Sequence, residues 1–597
     1  MVNHHDYTGK IVLVTTLVII AVMVLGFSGQ SVVDKSVTAS PDTSASTTFK
    51  VGWFGTNIDT LNPFLSYSQL TGWINSNIYL PLVDYNTANH TVQPALASSW
   101  QINFSNHTAI FNINPNAVWS DGQPVTSQDV VYTYNIAAQN YTFVHSYVSA
   151  ISNVTALNSH QVMITFSGVL WEMFASTIYI VPQHIWKNIN PTSYAGYNPN
   201  GTGNTYFVGD GPFVLTNYSV TNNYVIIQKN SKFFIPSKEP KLTEVVFQFF
   251  SSQSSAVSAL QSNEIQGLSG ILPANVAQFQ NNSAFQVTTS PALEYLYLSI
   301  NVDNHGSGNP TLRNATVRQA MAHALNLTYL IQTVFHGYAS TISSVLAPTN
   351  SYYDHNLTNY AYNVTLAKQM LNQAGFSTIV NGVRENSTGA KLSYTMLVPS
   401  SNQEAVNLAQ LIAQNLSTVD IKVTVQAEST GSMSSTIWLP NGTLGQDMDL
   451  WDWFDNIQQA PQLLSVFLSG QVVTGTSDSG FNNTSYDALW NELLNASSVS
   501  QAKDIANQMQ AILHEQLPYI PLVAPSSINV WSSSYTNISS AFPGGPFGGN
   551  DYMTFITATP SGTAAPSTTN YIIYGVVAAI VVIIGVTVGL RMRDRDR

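Results

Sequence analysis

Residues 293–335 read LEYLYLSINVDNHGSGNPTLRNATVRQAMAHALNLTYLIQTVF, and their pattern predicts a buried strand followed by a helix. Both alternating faces of the first residues are largely apolar or aromatic, which is typical of a strand covered on two sides. A polar loop rich in Asn, Gly and Pro comes next. Apolar residues at helical spacing then predict one helix through Val317, Ala320, Met321, Ala324, Leu327, Ile331 and Val334. We expect the chain to cross here from one lobe to another.

The length and the charge of the chain limit what it can be. At 597 residues it exceeds one hydrophobic core, and at roughly 150 residues per domain it predicts about three or four units. It has 19 Lys and Arg against 31 Asp and Glu, a formal net charge of −12. Because no basic face is available, we predict that the chain binds no nucleic acid.

The chain contains no cysteine, which excludes several kinds of chemistry at once. Disulfides, thiol nucleophiles, cysteine-bound zinc and a lipid-modified cysteine anchor are all impossible. Many Asn-x-Ser/Thr sequons, among them those at Asn89 and Asn153, suit a glycosylated, extracellular surface.

Two apolar segments bracket the sequence. Residues 11–27 have the length of a signal-peptide core or a short membrane anchor, and residues 571–590 have the ~20 residues that a membrane-spanning helix needs. Arginines follow the second segment at 591, 593, 595 and 597, so the positive-inside rule predicts a cytoplasmic tail. We therefore expect a cell-membrane protein whose ectodomain is extracellular.

Between these segments the pattern is that of an α/β protein. LSYTMLV and IKVTV are predicted strands joined by a helix that Ser401 and Glu404 would cap, and this βαβ unit predicts a parallel sheet. Short strands at SSWQIN, TAIFNIN and HQVMITF predict a smaller β-rich unit. Within it, Thr126 and Asp129 predict a capping box at the start of a helix.

Eight short segments in a fixed order carry a resemblance to a known family. They are LNPF, VQPALASSW from Val92, WSDGQPVTSQDVVYTYN from Trp119, VPQHIW from Val181, VGDGPFVL from Val208, TVRQAMAHALN from Thr316, AGF from Ala374 and LPYIPL from Leu517. With these segments, roughly residues 49–540 resemble the oligopeptide/dipeptide-binding family of extracellular solute-binding proteins, family 5, which serve ABC importers.

The resemblance implies an α/β, periplasmic-binding-protein-like fold (class II, cluster C) with two lobes and a small β-rich extra domain, flanked by N- and C-terminal hydrophobic helices. YLYLSIN and YIPLV would be the crossover strands, with hinge residues Tyr297, Ser299, Tyr519 and Pro521. The expected segments are 1–27 (signal peptide or N-terminal anchor), 28–48 (Ser/Thr-rich spacer), 49–85, 206–297 and 519–556 (lobe I), 86–205 (small β-rich insertion), 298–518 (lobe II), 557–570 (linker), 571–590 (transmembrane helix) and 591–597 (cytoplasmic basic tail).

The most aromatic and acidic patch of the chain starts at Asp447 with DMDLWDWFD. Large aromatic side chains beside several carboxylates are costly to bury and suggest a binding site. The resemblance implies that Trp453 and Asp455 meet the ligand, with Asp455 binding a peptide α-ammonium, although Asp455 could equally cap the next turn. Trp451, Phe64, Tyr67 and Trp438 are further candidate contacts. The same aromatics could stack on sugar rings, so peptide and oligosaccharide ligands both stay open.

Signatures of catalysis are scarce, since the sequence has no HExxH, GxxxxGK or GxSxG motif. We predict no enzyme activity, no cofactor and no metal. The predicted function is capture of peptides by lobe closure and delivery to ABC permease subunits with cytoplasmic ATPases. A membrane-anchored glycoside hydrolase, which needs only two carboxylates, and a surface structural protein are the alternatives from other classes.

Overall fold

The computed structural model describes residues 47–54, 58–66, 68–86, 89–139, 141–189, 208–219, 221–291, 293–455, 460–473, 475–538, 543–547 and 552–561. The apolar segments predicted at 11–27 and 571–590 lie outside these residues. Within the described ranges, no helix combines the length and the apolar character that crossing a membrane requires.

The strands and helices follow one another in three stretches. The first contains β1 (Thr48–Phe54), α1 (Gln69–Ile78), β2 (Val83–Asn86), β3 (Thr91–Pro94), β4 (Ala97–Asn103), β5 (Thr108–Ile113), α2 (Ser127–Ala137), α3 (His145–Val148), β6 (Ile151–Asn158), β7 (Gln161–Phe166), α4 (Trp171–Thr177) and α5 (Gln183–Trp186). The second contains β8 (Phe213–Ser219), β9 (Tyr224–Lys229), β10 (Glu244–Phe250), α6 (Gln253–Gln261), β11 (Gly267–Leu268), α7 (Ala277–Gln280) and β12 (Phe285–Ser290).

The third stretch contains β13 (Glu294–Ile300), α8 (Ala315–Ala324), α9 (Leu327–Val334), β14 (Ala339–Thr341), α10 (Val364–Gln373), β15 (Thr378–Val380), β16 (Val383–Glu385), β17 (Ser393–Pro399), α11 (Gln403–Ser417), β18 (Lys422–Glu428), α12 (Thr430–Ile437), β19 (Met448–Phe454), α13 (Thr484–Leu494), α14 (Val499–Gln516), β20 (Tyr519–Pro525), β21 (Ser527–Ser532), β22 (Tyr535–Thr536), α15 (Met553–Thr557) and β23 (Thr559–Pro560).

Lobe I is built on a seven-stranded sheet in the order β12-β21-β11-β1-β10-β9-β8. β1 lies in its middle and pairs in parallel with both β10 and β11. Phe49, Val51 and Trp53 alternate along β1 and are buried, because this face of the strand packs into the core. Trp53 stacks on Phe247 of β10 at 5.4 Å between ring centroids.

The small domain is a four-stranded antiparallel sheet, β4-β5-β7-β6, with the helix α2 beside it. The predicted capping box is confirmed, since the side chains of Thr126 and Asp129 exchange hydrogen bonds with each other's backbone N–H at the start of α2. Its buried residues, such as Phe111 and Ile164, join one continuous core with Phe49 and Phe247 of lobe I. The small domain and lobe I therefore form one packed body.

Lobe II is built on a six-stranded sheet in the order β14-β20-β13-β19-β17-β18. The predicted βαβ unit is confirmed, because β17 and β18 pair in parallel and α11 connects them. The cap is one residue later than predicted: the side chain of Asn402, and not that of Ser401, accepts the N–H of Ala405 at 3.0 Å.

The buried strand predicted at residues 293–300 is confirmed as β13, but the single helix predicted after it is wrong. Two helices, α8 and α9, meet at Leu325 and Asn326. The side chain of Asn326 accepts the N–H of Tyr329 at 3.0 Å and caps the second helix. Helical spacing of apolar residues continues across this break, so periodicity alone did not reveal it.

The chain passes between the two sheets at the carboxyl ends of their parallel strands. β12 runs parallel to β1 through its pairing with β21, and β13 runs antiparallel to β19. Ser290 and Glu294, which end β12 and begin β13, therefore sit at facing carboxyl edges. The second passage, from Pro525 of β20 to Ser527 of β21, joins the same two edges. Both passages therefore join the carboxyl edge of one sheet to the carboxyl edge of the other.

Both passages differ from the predicted lobe boundaries at 297/298 and 518/519. All of β13 and all of β20 belong to the six-stranded sheet of lobe II, because β13 pairs with β19 and β20 on either side. The passages lie at residues 291–293 and 526. A long buried strand at the edge of a lobe has the same sequence pattern whichever sheet it joins, and this explains the difference.

A close backbone contact inside lobe I leads to a first prediction. A Cβ atom at Gly209 would lie 2.2 Å from the carbonyl oxygen of Ile78, whereas a Cβ at Gly431 in α12 would meet nothing within 4 Å. Gly209→Ala should destabilise the fold by about 1–3 kcal/mol through overpacking. Gly431→Ala should stabilise it by about 0.5–1 kcal/mol, because it removes a helical glycine. Urea unfolding of both variants tests the pair, and equal effects would contradict the described packing.

Candidate functional site

The aromatic and acidic patch predicted from the sequence lies on β19 and its two sides face different surroundings. Asp449, Trp451 and Trp453 project from one face, opposite Ser299, Tyr297 and Tyr295 of β13. Asp452 projects from the other face, opposite Leu296. The alternation of side chains along a strand therefore divides the patch into two groups.

The tryptophans of the first group pack in a layer of aromatic rings. Tyr297 stacks on Tyr519 of β20 with ring centroids 4.1 Å apart, and Trp453 lies nearly parallel to Tyr297 at 6.5 Å. Trp451 contacts Trp438 at 6.3 Å, and the indole of Trp438 donates to the carbonyl oxygen of Ser477 at 2.9 Å. Three of the predicted contacts, Trp438, Trp451 and Trp453, are brought to this one layer and are partly exposed.

The four predicted hinge residues lie inside the same layer. Ser299 pairs with Tyr519, and Tyr297 pairs with Pro521, in the register between β13 and β20. Ser299, Tyr297 and Tyr519 are buried. Bending at these positions stays a prediction, and the peptides that join the two sheets are four to seven residues away from them along the chain.

A pair of buried carboxyl groups lies beneath the aromatic layer. Asp449 and Asp478 hydrogen-bond to each other, and both are almost fully buried. The hydroxyl of Tyr297 donates to Oδ2 of Asp478 at 2.9 Å, and the hydroxyl of Tyr519 donates to Oδ1. Nε2 of Gln446 donates to Oδ2 of Asp449 at 2.9 Å.

Burial raises the pKa of Asp449 well above its usual range, and the negative charge of Asp478 raises it further. Burial also raises the pKa of Asp478, although the two tyrosine hydroxyls oppose that shift. Among the described residues, no ion pair reaches either carboxyl group. Because two carboxylates in contact cannot both ionise without a cation, we infer that Asp449 is the protonated partner of the pair and donates to Asp478. Sequence reasoning did not connect Asp478 with this site.

Asp455 follows β19 and turns its side chain into lobe II. Its carboxylate accepts the N–H of Ala347 at 3.1 Å and the side-chain amide of Asn350 at 3.0 and 2.9 Å. Burial raises its pKa to about 7, while these hydrogen bonds lower it. Protein donors from a loop more than a hundred residues earlier thus bind the carboxylate that was predicted to bind an ammonium.

A second acidic group lies at the carboxyl edge of the lobe II sheet, where the chain enters it. Glu294 reaches solvent, yet the protein around it raises its pKa to about 7, with the negative charges of Asp452 and Glu404 adding to the effect of burial. Burial also raises the pKa of Asp452 and of Glu404. An accessible carboxyl group surrounded by protein is typical of a cleft. The sequence offered a signal for Glu294, because it is the one charged residue of a strand that is otherwise apolar or aromatic except for Ser299.

The predicted contacts from lobe I are not assembled with the tryptophans. Phe64 is buried and packs edge-to-face on Trp186 at 5.3 Å, within the core that lobe I shares with the small domain. Tyr67 lies outside the described residues. The loop after β1 is instead organised by Asp59, whose Oδ1 accepts the hydroxyls of Ser66 at 2.8 Å and Thr71 at 3.0 Å.

The raised pKa of Asp455 leads to a second prediction. The folded protein holds a proton up to about pH 7 that the unfolded chain releases near pH 4, so this group's contribution to stability is lost as the pH rises through that window. Asp455→Asn imitates the protonated form and lacks this dependence. Between pH 4 and pH 8, the unfolding free energy of the wild type relative to the variant should fall by roughly 3–4 kcal/mol.

Chemical denaturation at pH 4, 6 and 8 measures this difference. Asp504→Asn, at an exposed position on α14, is the matched control for the loss of one carboxyl group. A wild type that gains stability over Asp455→Asn between pH 4 and pH 8 would contradict the assignment.

Comparisons with known proteins agree with this geometry. A protein of Brucella ovis named for peptide binding in an ABC transporter is 25% identical over 64% of this chain and 68% of its own length. NikZ of Campylobacter jejuni, solved with Ni(L-His), has a TM-score of 0.68 at 21% identity and covers 82% of this chain and 95% of its own. AppA of Bacillus subtilis, solved with a nonapeptide, has a TM-score of 0.67 at 19% identity and covers 86% and 99%.

These solved structures share the two-lobed fold described above. The model of the bacterial extracellular solute-binding proteins, family 5 Middle, matches residues 91–475, more than half of the sequence. The predicted family is confirmed: the chain belongs to the family 5 extracellular solute-binding proteins.

Proposed function

We propose that this protein is a membrane-anchored extracellular receptor that captures peptides and delivers them unaltered to an ABC permease. The observation that carries the proposal is the topology of the two passages, by which the carboxyl edges of two separate sheets face each other. In α/β sheets, ligands bind at the carboxyl ends of the strands. The names of the Brucella relative and of the nonapeptide complex favour a peptide as the ligand.

Capture would use closure of lobe II on the body formed by lobe I and the small domain. The two passages are short, running from Ser290 to Glu294 and from Pro525 to Ser527. Because both connections are short and lie side by side, lobe II can rotate at the passages while the hydrogen bonds of both sheets stay intact. A ligand that contacts both edges would shift the equilibrium toward the closed form by its differential affinity for that form.

We assign the recognition of a ligand ammonium to Glu294 and Asp452, in place of Asp455. Both carboxyl groups lie at the carboxyl edge of the lobe II sheet. A cation there would offset the burial and the negative charges of Asp452 and Glu404, which together raise the pKa of Glu294 to about 7. Asp455 is already bound by protein donors. Trp451 and Trp453 are partly exposed near this edge and would contact the apolar parts of the ligand.

Anchoring and transport are further parts of the proposal. Residues 571–590 are continuously apolar or small and are followed by four arginines, so they would hold the receptor at the outer face of the membrane with a cytoplasmic tail. Permease subunits would receive the closed form. The ATP-hydrolysing step belongs to partner ATPases, since this sequence has no GxxxxGK motif.

Incubation of the full-length protein in detergent with a defined peptide pool, followed by native mass spectrometry, tests the proposal. We expect intact peptides in the bound fraction and a preference for free over acetylated N-termini. The double variant Glu294→Gln/Asp452→Asn should weaken binding of free-amine peptides about 10- to 100-fold, the range expected for losing charge-assisted hydrogen bonds. Glu264→Gln, an exposed lobe I position, is the control and should bind like the wild type.

Two other outcomes of this experiment would contradict part or all of the proposal. Cleaved peptides in solution would make the protein a hydrolase and contradict the proposal. A parallel incubation with an oligosaccharide pool that yields a bound sugar, with no bound peptide, would overturn the peptide assignment and leave the receptor.

A further inference from the structure

The small domain contacts lobe II directly. The segment after β7 contains Val169 and Leu170, which are 1% and 7% exposed. Both belong to a hydrophobic cluster of lobe II that includes Tyr486 and Leu493 of α13. Apolar side chains of the small domain are therefore buried by lobe II.

Gly168, which precedes this segment, makes the closest approach. A Cβ atom there would lie 2.2 Å from the carbonyl oxygen of Leu494 at the end of α13. The φ angle of Gly168 is +74°, a value that glycine adopts readily. The backbone of the small domain thus lies against the last carbonyl of a lobe II helix with no room for a side chain.

Polar groups surround this apolar contact. Burial raises the pKa of Tyr85, in lobe I, to about 12, and the nearby side chain of Ser351, in lobe II, opposes that shift. Glu172 of α4 is shielded from solvent, which raises its pKa, and the positive charge of Lys503 on α14 opposes that shift. Lys503 also lies over the ring of Tyr352, 5.5 Å from its centroid. Groups of opposite charge thus face each other across the contact.

Opening of the lobes would break this contact. The small domain shares one continuous core with lobe I, so the two move together. Rotation of lobe II about the passages at 291–293 and 526 would separate Leu494 from Gly168 and expose Val169 and Leu170. The contact can exist only when the lobes are together.

We propose that residues 168–172 of the small domain form a clasp that docks on α13 and α14 of lobe II and stabilises the closed form. The clasp stabilises the closed form without touching the ligand. It therefore changes the free energy of closure that ligand binding has to supply. This inference rests on the proposed function only for the existence of lobe closure, and not for the identity of the ligand.

The absence of cysteine in this chain permits a direct test without ligand. Spin labels on Leu157→Cys, in the small domain, and Gln508→Cys, on α14, report the distance between the two bodies at exposed positions. Gly168→Ala is introduced into this background. We expect its distance distribution to shift to longer values, with the closed-to-open ratio falling roughly tenfold, as an overpacked contact requires.

Gly389→Ala is the matched control. Its φ of +83° imposes the same backbone strain, but its Cβ would meet nothing within 4 Å. It should leave the distance distribution unchanged. Identical distributions for Gly168→Ala and Gly389→Ala would overturn the proposal.

Charge reversal keeps the test decisive even if Gly168→Ala fails to fold. Glu172→Lys and Lys503→Glu should each lengthen the distance between the labels, and the double reversal should restore it. A double variant no closer to the wild type than either single variant would overturn the clasp. Since all these readouts are taken without ligand, they stand even if the peptide assignment fails.

Discussion

The hydrogen-bonded pairing of β13 with β20 is the constraint on which the rest of the structure depends. These two strands lie side by side in lobe II, and each continues into a strand of lobe I after a very short peptide. Strand direction alone therefore decides that the carboxyl edges of the two sheets are the edges that are joined. The position of Glu294, the access to the aromatic layer and the contact of the small domain with lobe II all depend on this pairing.

The interior of lobe II next to these strands is unusually polar. Asp449 and Asp478 hydrogen-bond to each other under three aromatic rings, and Asp455 is bound by Ala347 and Asn350. Tyr297, Tyr519 and Gln446 donate hydrogen bonds into the pair, so side chains from several segments of lobe II depend on one another's position. These acidic groups connect segments of lobe II, whereas Glu294 lies at the edge of its sheet.

Much of the fold could be predicted because local signals and tertiary structure agree. The two-sided burial of β13, the βαβ unit and the capping box at Thr126 are each set by residues close together in sequence. One helix ends just before Asn326 and the next begins just after it, but the apolar spacing continues across the break and hides the end of the first helix. The lobe to which β13 and β20 belong depends on hydrogen-bond partners more than a hundred residues away, and no local pattern encodes that choice.

The site was predicted less well for a similar reason. The sequence pattern singled out the tryptophans of β19, which the structure brings together with Trp438. It also predicted that Asp455 faces a ligand, whereas the carboxylate of Asp455 accepts hydrogen bonds from Asn350. The donors that occupy Asp455 and the partner of Asp449 come from distant loops. A carboxylate near aromatic residues has the same sequence signature whether it binds a ligand or the protein itself.

Small-angle X-ray scattering of the full-length protein, with and without the bound peptide pool, tests the central claim most directly. Rotation about the two passages should reduce the radius of gyration on binding, while the peptides are recovered intact. A radius of gyration that stays constant although peptide is bound would contradict closure of the two lobes around a captured guest.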